Sequence, residues 1–150
     1  MKSAQFALLG VLLLIPIAWF ILFGFAPGEE EGNSYGFTGS LFTIGTQDHE
    51  IYHDTNIESE TVLKLAAYLS RIGYFGEQYG GVVQFNRENE GYRVFLTYSE
   101  SYWEMDAFKE EVSGIRDDLS SLALNSPTAI TLVDAVDGKV QTQDFENFED

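Results

Sequence analysis

Hydrophobic positions along the chain form one unbroken apolar run, two helical repeats and several alternating stretches. The unbroken run, FALLGVLLLIPIAWFILFGF, covers Phe6–Phe25 without a charged side chain. A helix of this length measures about 30 Å, the thickness of a hydrocarbon core. The run therefore predicts a transmembrane anchor within residues 1–26, with Leu13 and Trp19 in the bilayer. Pro16 removes one backbone hydrogen bond near mid-span, which predicts a kink.

A cleaved signal peptide is the main alternative to this anchor. The run is longer than a usual signal core, and Ala26 is followed by Pro27, a poor cleavage junction. Lys2 precedes the run, and no Lys or Arg follows it before Lys64. Lys and Arg residues that flank a membrane span are retained on the cytoplasmic side. We therefore expect a single-pass protein of the cell membrane, with a cytoplasmic N-terminus and a periplasmic or extracellular C-terminal domain.

Residues 27–46 predict a linker and a glycine-rich arm. The first part contains Pro, Gly, Ser and three consecutive glutamates, which is typical of a solvated linker. The second part, YGFTGSLFTIGT, is interrupted by glycines but contains Phe37 and Phe42. It predicts either a short edge strand or an extended arm that lies on a partner.

Residues 47–142 alternate between strand and helix patterns. HEIYH, GGVVQFN, YRVFLTY and TAITLV predict strands, and the middle two form a hairpin. Apolar residues at one-face spacing predict a first helix that ends at Gly73, with Val62, Leu65, Ala66, Leu69 and Ile72 buried. A second helix begins near Asp106, with a buried stripe of Phe108, Val112, Ile115, Leu119 and Leu122. A short strand around Val140 precedes an acidic tail, residues 143–150.

The order of elements, strand–helix–strand twice over, predicts an α+β domain. Two right-handed crossovers placed side by side give a ferredoxin-like split βαβ sandwich. We expect an antiparallel sheet with both helices on one face.

Residues 51–96 resemble a bacterial type of single-pass membrane-anchored domain with no assigned activity. The matching residues are Gly73-Tyr74-Phe75 after a helix, Val83-Gln84-Phe85 in a strand, and Tyr92 in the following hairpin. The resemblance covers about half of the soluble part. It implies a ferredoxin-like (βαββαβ) fold and no catalytic residue.

Charge and composition exclude several classes of partner and cofactor. The chain has 24 acidic and 8 basic residues, a net charge of −16, so we expect no nucleic-acid partner. The acidity fits either salty surroundings or a basic partner surface. The absence of cysteine excludes disulfides, thiolate zinc sites and iron–sulfur clusters, and we expect no cofactor.

The chain contains His49 and His53 as its two histidines, near Asp48, Glu50 and Asp54. Positions four apart on a strand are about 13 Å apart, too far for one metal ion without a bend. Surface histidines are the simpler interpretation, and no metal site is expected. No motif of a hydrolase, nucleotide-binding loop or calcium loop occurs, so we expect a non-catalytic protein.

Aromatic residues make up 15% of the chain, and we expect that two short helices cannot cover them all. Phe37, Phe42, Tyr102 and Trp103 are therefore candidate interface residues, the alternatives being core positions or an aromatic belt at the membrane. We expect an accessory or scaffolding subunit of a larger membrane complex, respiratory or photosynthetic complexes being one setting. Its partners would be other membrane-protein subunits and, through one helix, the lipid bilayer. The alternative is a tethered binding or sensor domain for a small ligand or cationic peptide.

Overall fold

The computed structural model describes residues 33–45, 49–76, 81–136 and 139–145. The predicted membrane span, residues 6–25, lies outside these ranges, as does the first part of the linker. Among the residues that the structure describes, no helix is long and apolar enough to cross a bilayer.

The described part of the chain forms six strands and two α-helices. The strands are β1 (Ser40–Ile44), β2 (His49–His53), β3 (Val82–Glu88), β4 (Gly91–Thr97), β5 (Thr128–Val136) and β6 (Lys139–Phe145), and the helices are α1 (Ser59–Arg71) and α2 (Asp106–Asp118). A 3₁₀ turn (Glu100–Tyr102) precedes α2, and a π-helical turn (Leu119–Ala123) extends it. The predicted order β-α-β-β-α-β is found in β2 to β5, and the α+β class is confirmed.

Helix α1 forms where the apolar spacing predicts it. Four of its five predicted core residues are at most 5% exposed, namely Val62, Leu65, Ala66 and Leu69. Gly73 follows the helix with φ of +81°, the left-handed conformation that glycine adopts most easily. The amide of Tyr74 then donates to the carbonyl of Leu69 at 3.0 Å. Ile72, at the very end, is 39% exposed and departs from the prediction.

Helix α2 buries Phe108, Val112 and Ile115 as predicted, but the stripe fails at Leu122, which is 69% exposed. The cause is the π-helical turn. The amide of Leu124 donates to the carbonyl of Leu119, five residues earlier, at 2.9 Å. Leu122 lies within this turn, where the five-residue spacing departs from the α-helical periodicity that would place its side chain over the core.

The six strands form one mixed sheet in the order β1-β2-β3-β4-β5-β6. The pairs β2/β3 and β4/β5 are parallel and the other three are antiparallel. The predicted purely antiparallel sheet is therefore wrong, although the order of elements is compatible with a split βαβ fold. A strand has two edges, and β2 pairs with β1 on one and β3 on the other. Each crossover returns to the position beside the strand that it left, so β3 lies next to β2 and β5 next to β4.

Both helices pack against one face of the sheet. Side chains at every second strand position point to this face, and the buried ones join the apolar residues of α1 and α2 in one core. The strand residues that are at most 2% exposed here are Ile51, Val83, Phe85, Val94, Leu96, Ile130 and Leu132. This helix-side core accounts for both predicted helical stripes.

The opposite face of the sheet is also apolar, and residues 33–39, here called the arm, lie across it. Phe37 is only 7% exposed. Its ring centroid lies 6.5 Å from that of Tyr52 and 6.2 Å from that of Phe95, and Tyr35 stacks on it at 5.5 Å. The arm therefore builds a second, smaller core on the face that the helices leave uncovered.

The glycine-rich segment resolves into this arm and an edge strand. Of the two predicted alternatives, the edge strand is confirmed for β1, which pairs antiparallel with β2 from Ser40 opposite His53 to Ile44 opposite His49. Residues 33–39, the arm, lie on the sheet of the domain itself.

Gln84 fixes the arm at the centre of the sheet. Its Oε1 accepts the amide of Thr38 at 2.8 Å, and its Nε2 donates to the carbonyl of Thr38 at 3.0 Å. Nε2 also lies 2.6 Å from Oδ1 of Asn86, and Gln84 is 5% exposed. The side chain thus offers Thr38 the donor and acceptor that a neighbouring strand would offer.

Strand β6 is longer than the short strand predicted around Val140. Its register with β5 continues to Phe145, which lies opposite Ile130. The predicted tail, residues 143–150, is therefore wrong for residues 143–145, and the rest of it lies outside the described residues. The strand continues because Phe145 packs against the helix-side core.

Replacing Gln84 with methionine should loosen the arm while keeping the side-chain volume. The two hydrogen bonds to Thr38 contribute roughly 1–3 kcal/mol together, so exchange of the Thr38 amide should accelerate about tenfold to a hundredfold. Hydrogen exchange of the full chain measures this. Gln143→Met, at an exposed position of β6, is the matched control and should leave the Thr38 rate unchanged. An unchanged rate in Gln84→Met would show that the arm is held by other contacts.

Two glycines should respond to alanine in opposite directions. A Cβ at Gly91 would collide with the carbonyl oxygen of Pro127, so Gly91→Ala should lower the free energy of unfolding by about 1–3 kcal/mol. Gly114 lies in α2 with no neighbouring atom within 4 Å of its added Cβ. Gly114→Ala should raise stability by about 0.5–1 kcal/mol because alanine favours the helix. Denaturant unfolding tests both, and a loss of stability in Gly114→Ala would contradict the packing described.

Candidate interaction surface

The four predicted interface aromatics occupy different environments. Phe37 lies in the arm-side core, and Phe42 and Trp103 lie in the helix-side core, each at most 7% exposed. For these three the expectation of an exposed interface is corrected, because the second sheet face buries Phe37 and the helix-side core has room for Phe42 and Trp103. Tyr102 is 51% exposed and remains a candidate.

Tyr102 and Met105 form an exposed apolar pair at the start of α2. Met105 is 50% exposed, and its amide donates to the carbonyl of Tyr102 at 3.0 Å. The ring of Tyr102 rests beside that of Phe108, with 6.2 Å between their centroids. Sequence reasoning identified Tyr102 as an interface candidate but missed Met105. The signal for Met105 was its position in a connecting segment, two residues after Trp103.

Residues 102–105, here called the exposed turn, are attached to the domain by one hydrogen bond within the turn and one just before it. The indole N–H of Trp103 donates to the carbonyl of Tyr98 at 3.1 Å. The amide of Glu100 donates to Oδ2 of Asp134 at 2.7 Å, which ties the turn to β5. The apolar pair is therefore presented by a backbone that these two hydrogen bonds tie to the domain.

Further exposed apolar side chains lie at the same end of the sheet. Thr97, the last residue of β4, pairs with Val133 of β5, so the exposed turn and the following residues of β5 leave the same end. Val136 is 49% exposed and Val140 is 45% exposed. This end of the domain therefore carries the apolar side chains of the exposed turn, of Val136 and of Val140 on the ends of hydrogen-bonded strands.

The two histidines lie on β2 as predicted but do not converge on one another, and His49 is buried rather than at the surface as expected. His49 is 5% exposed, its Nδ1 accepts the amide of Gly81 at 3.0 Å, and its ring stacks on Phe75 at 5.0 Å. Nδ1 of His53 lies 2.9 Å from the carbonyl oxygen of Asp54. Within the described ranges, no group of three or more His, Cys, Asp or Glu side chains is placed to hold a metal ion.

A groove of about 370 Å³ lies on the outer side of the helix layer, between α1 and the π-helical turn. Its lining residues are Lys64, Ala67, Tyr68, Arg71, Leu122 and Ala123. Sequence reasoning missed this site. The signal was the spacing of Lys64 and Arg71, seven residues apart on one face of a helix, in a chain with few basic residues.

Tyr68 links the groove to the end of α2. Its hydroxyl donates to Oδ2 of Asp118 at 3.2 Å, and the guanidinium of Arg71 lies 5.2 Å from the centre of its ring. Burial, followed by the negative charge of Asp118, raises the pKa of Tyr68 to about 12. Burial, followed by the charge of Glu111, raises the pKa of Tyr98 to about 12.

Comparison of the chain with protein-family models, curated proteins and solved structures gives no match. The residues of the predicted resemblance have structural roles in this fold. Gly73 ends α1, Phe75 enters the helix-side core, and Gln84 fixes the arm.

The contribution of Tyr68 and Tyr98 to stability should be constant up to about pH 10 and should fall between about pH 10 and 12. Tyrosines of the unfolded chain lose their protons near pH 10, whereas Tyr68 and Tyr98 keep theirs in the folded domain until the pH reaches about 12. Deprotonation therefore favours the unfolded state in this window. Denaturant unfolding followed by tryptophan fluorescence measures the effect. Tyr68→Phe should reduce the fall, and an equal fall in that variant would contradict the assignment.

Proposed function

We propose that the chain is a non-catalytic, single-pass accessory subunit of a larger membrane protein complex, to which it contributes an interaction domain outside the cytoplasm. The observation that carries this proposal is the exposed turn. Tyr102 and Met105 are about half exposed on a backbone that the buried Trp103 holds in place. The domain docks on its partner through this end.

The energetics of such a pair favour an interface. Binding energy is concentrated in a few aromatic and large side chains at fixed positions, because fixed groups lose little entropy on association. Tyrosine combines a large apolar ring with a hydroxyl that remains hydrated at the rim. Val136 and Val140 extend the apolar area at the same end of the sheet.

The arm supports this choice of surface. An uncovered apolar sheet face would be the natural place for a partner, but Phe37 and Gln84 close that face from within the chain. The predicted span, Phe6–Phe25, has no ionisable residue, so its part in the proposal is to anchor the domain and to pack beside other helices.

Removing the exposed pair should release the chain from its complex. In full-length protein, Tyr102→Ser combined with Met105→Ser should weaken the association by roughly tenfold or more, the usual cost of losing a central contact. The measurement is the apparent size after extraction of native membranes with a mild detergent. Leu122→Ser is the matched control, since it removes an even more exposed side chain on another surface and should leave the complex intact.

Two results would overturn this proposal. One is migration of the native chain as a lone monomer in every mild detergent. The other is an unchanged complex in the double variant, with the fold shown to be intact by its thermal unfolding curve.

A further inference from the structure

We propose that the groove between α1 and the π-helical turn binds a small organic monocarboxylate with a compact apolar body. The site goes beyond the accessory role, since it lies on the helix layer and contains none of the residues of the exposed turn. It would give the domain a ligand of its own.

The charged wall of the groove is unusual for this chain. Lys64 and Arg71 supply two of the chain's 8 basic residues, and no acidic residue lines the groove. Lys64 pairs with Glu60 at 2.9 Å, in the exposed geometry of neighbouring helical turns. Arg71 forms no ion pair with any residue that the structure describes. Its guanidinium is therefore available to a carboxylate.

Tyr68 positions that guanidinium. Arg71 lies over its ring at 5.2 Å, and the ring is itself held by the hydrogen bond to Asp118. Stacking on an aromatic face leaves the edge of a guanidinium open, and two parallel N–H groups along that edge match the two oxygens of a carboxylate. This geometry favours a planar carboxylate over a spherical anion.

The rest of the groove is apolar. Ala67 on α1 and Ala123 on the π-helical turn form its floor side by side with Leu122, which is 69% exposed. A leucine so exposed gains about 25 cal/mol for each Å² that a ligand covers. π-Helical turns often occur at functional sites, and Leu122 lies within this one.

The size and the charge of the molecule argue for a small ligand with one negative charge. The groove volume, about 370 Å³, lies at the lower end of the range for small-molecule sites. A strongly acidic peptide would meet the repulsion of a chain with net charge −16 along its whole length. A monocarboxylate carries a single charge, which can pair with Arg71 over the Tyr68 ring, while Asp118 stays at the hydroxyl of that ring and the Lys64–Glu60 pair stays in place.

Binding of 3-phenylpropionate to the full chain in lipid nanodiscs tests the proposal. Methyl resonances of labelled alanine and leucine report on the site through Ala67, Leu122 and Ala123. We expect saturable shifts at these three and none at the core residue Leu132. Arg71→Gln should raise Kd about tenfold, the usual loss when a hydrogen bond to a charged group is removed.

Arg87→Gln is the matched control. Arg87 also lies over a tyrosine, 5.4 Å from the centre of the Tyr92 ring, but it is in the β3–β4 hairpin and does not line the groove. Its substitution should leave Kd unchanged. The neutral analogue 3-phenylpropanol should bind more weakly than the carboxylate because it cannot pair with Arg71.

Several results would overturn the inference. They are equal affinity for the alcohol and the carboxylate, equal affinity in Arg71→Gln, or shifts spread over the domain without saturation. The Tyr102→Ser, Met105→Ser variant should bind the carboxylate normally, so failure of the accessory role and failure of the groove are separable.

Discussion

A sheet has two faces, and the rest of this structure depends on how both are covered. The two helices cover one face, and their apolar stripes account for the larger core. The other face carries Tyr52, Phe95 and Val133 across neighbouring strands, and would be open to water without the arm. Phe37 fills the space above them, and Gln84 satisfies the backbone of Thr38 where no strand is present. The domain is closed by its own chain.

This closure determines which surfaces remain for other molecules. The aromatic residues are divided between the two cores, Phe42 and Trp103 on the helix side and Phe37 and Tyr52 on the arm side, so their number does not indicate an interface. Among the described residues, the large apolar side chains that stay about half exposed or more are Tyr102 and Met105 of the exposed turn, Val136 and Val140 at the same end of the sheet, and Leu122 on the helix layer. These two surfaces lie at different places in the fold, which allows an anchoring partner and a small ligand to be accommodated independently.

Local patterns in the sequence predicted the elements well and their arrangement less well. Apolar spacing located both helices, and Gly73 marked the end of α1 because a left-handed residue is readable from its type. The mixed sheet was not predictable from local patterns, because they do not reveal which strand each crossover returns to, and the parallel pairs β2/β3 and β4/β5 join segments far apart in sequence. The exposure of Leu122 depends on the five-residue spacing of the π-helical turn, which periodicity does not reveal.

For the candidate sites too, local features were predictable and contacts between distant segments were not. Tyr102 was recognisable because it lies in a connection, whereas Phe37 was misjudged because its cover, the sheet face, is formed by strands far away in sequence. The groove combines Arg71 with Leu122, which only the packing of α1 against the π-helical turn brings together.

Site-specific photo-crosslinking in native membranes tests the central claim, that the arm covers its own sheet and the exposed turn meets the partner. A photoreactive phenylalanine would replace Tyr102 in one variant and Phe37 in another, in the full chain. The account predicts that position 102 crosslinks to an integral membrane protein that co-migrates with the chain, while position 37 reacts only within the chain. Crosslinks to that protein from position 37, with none from position 102, would contradict it.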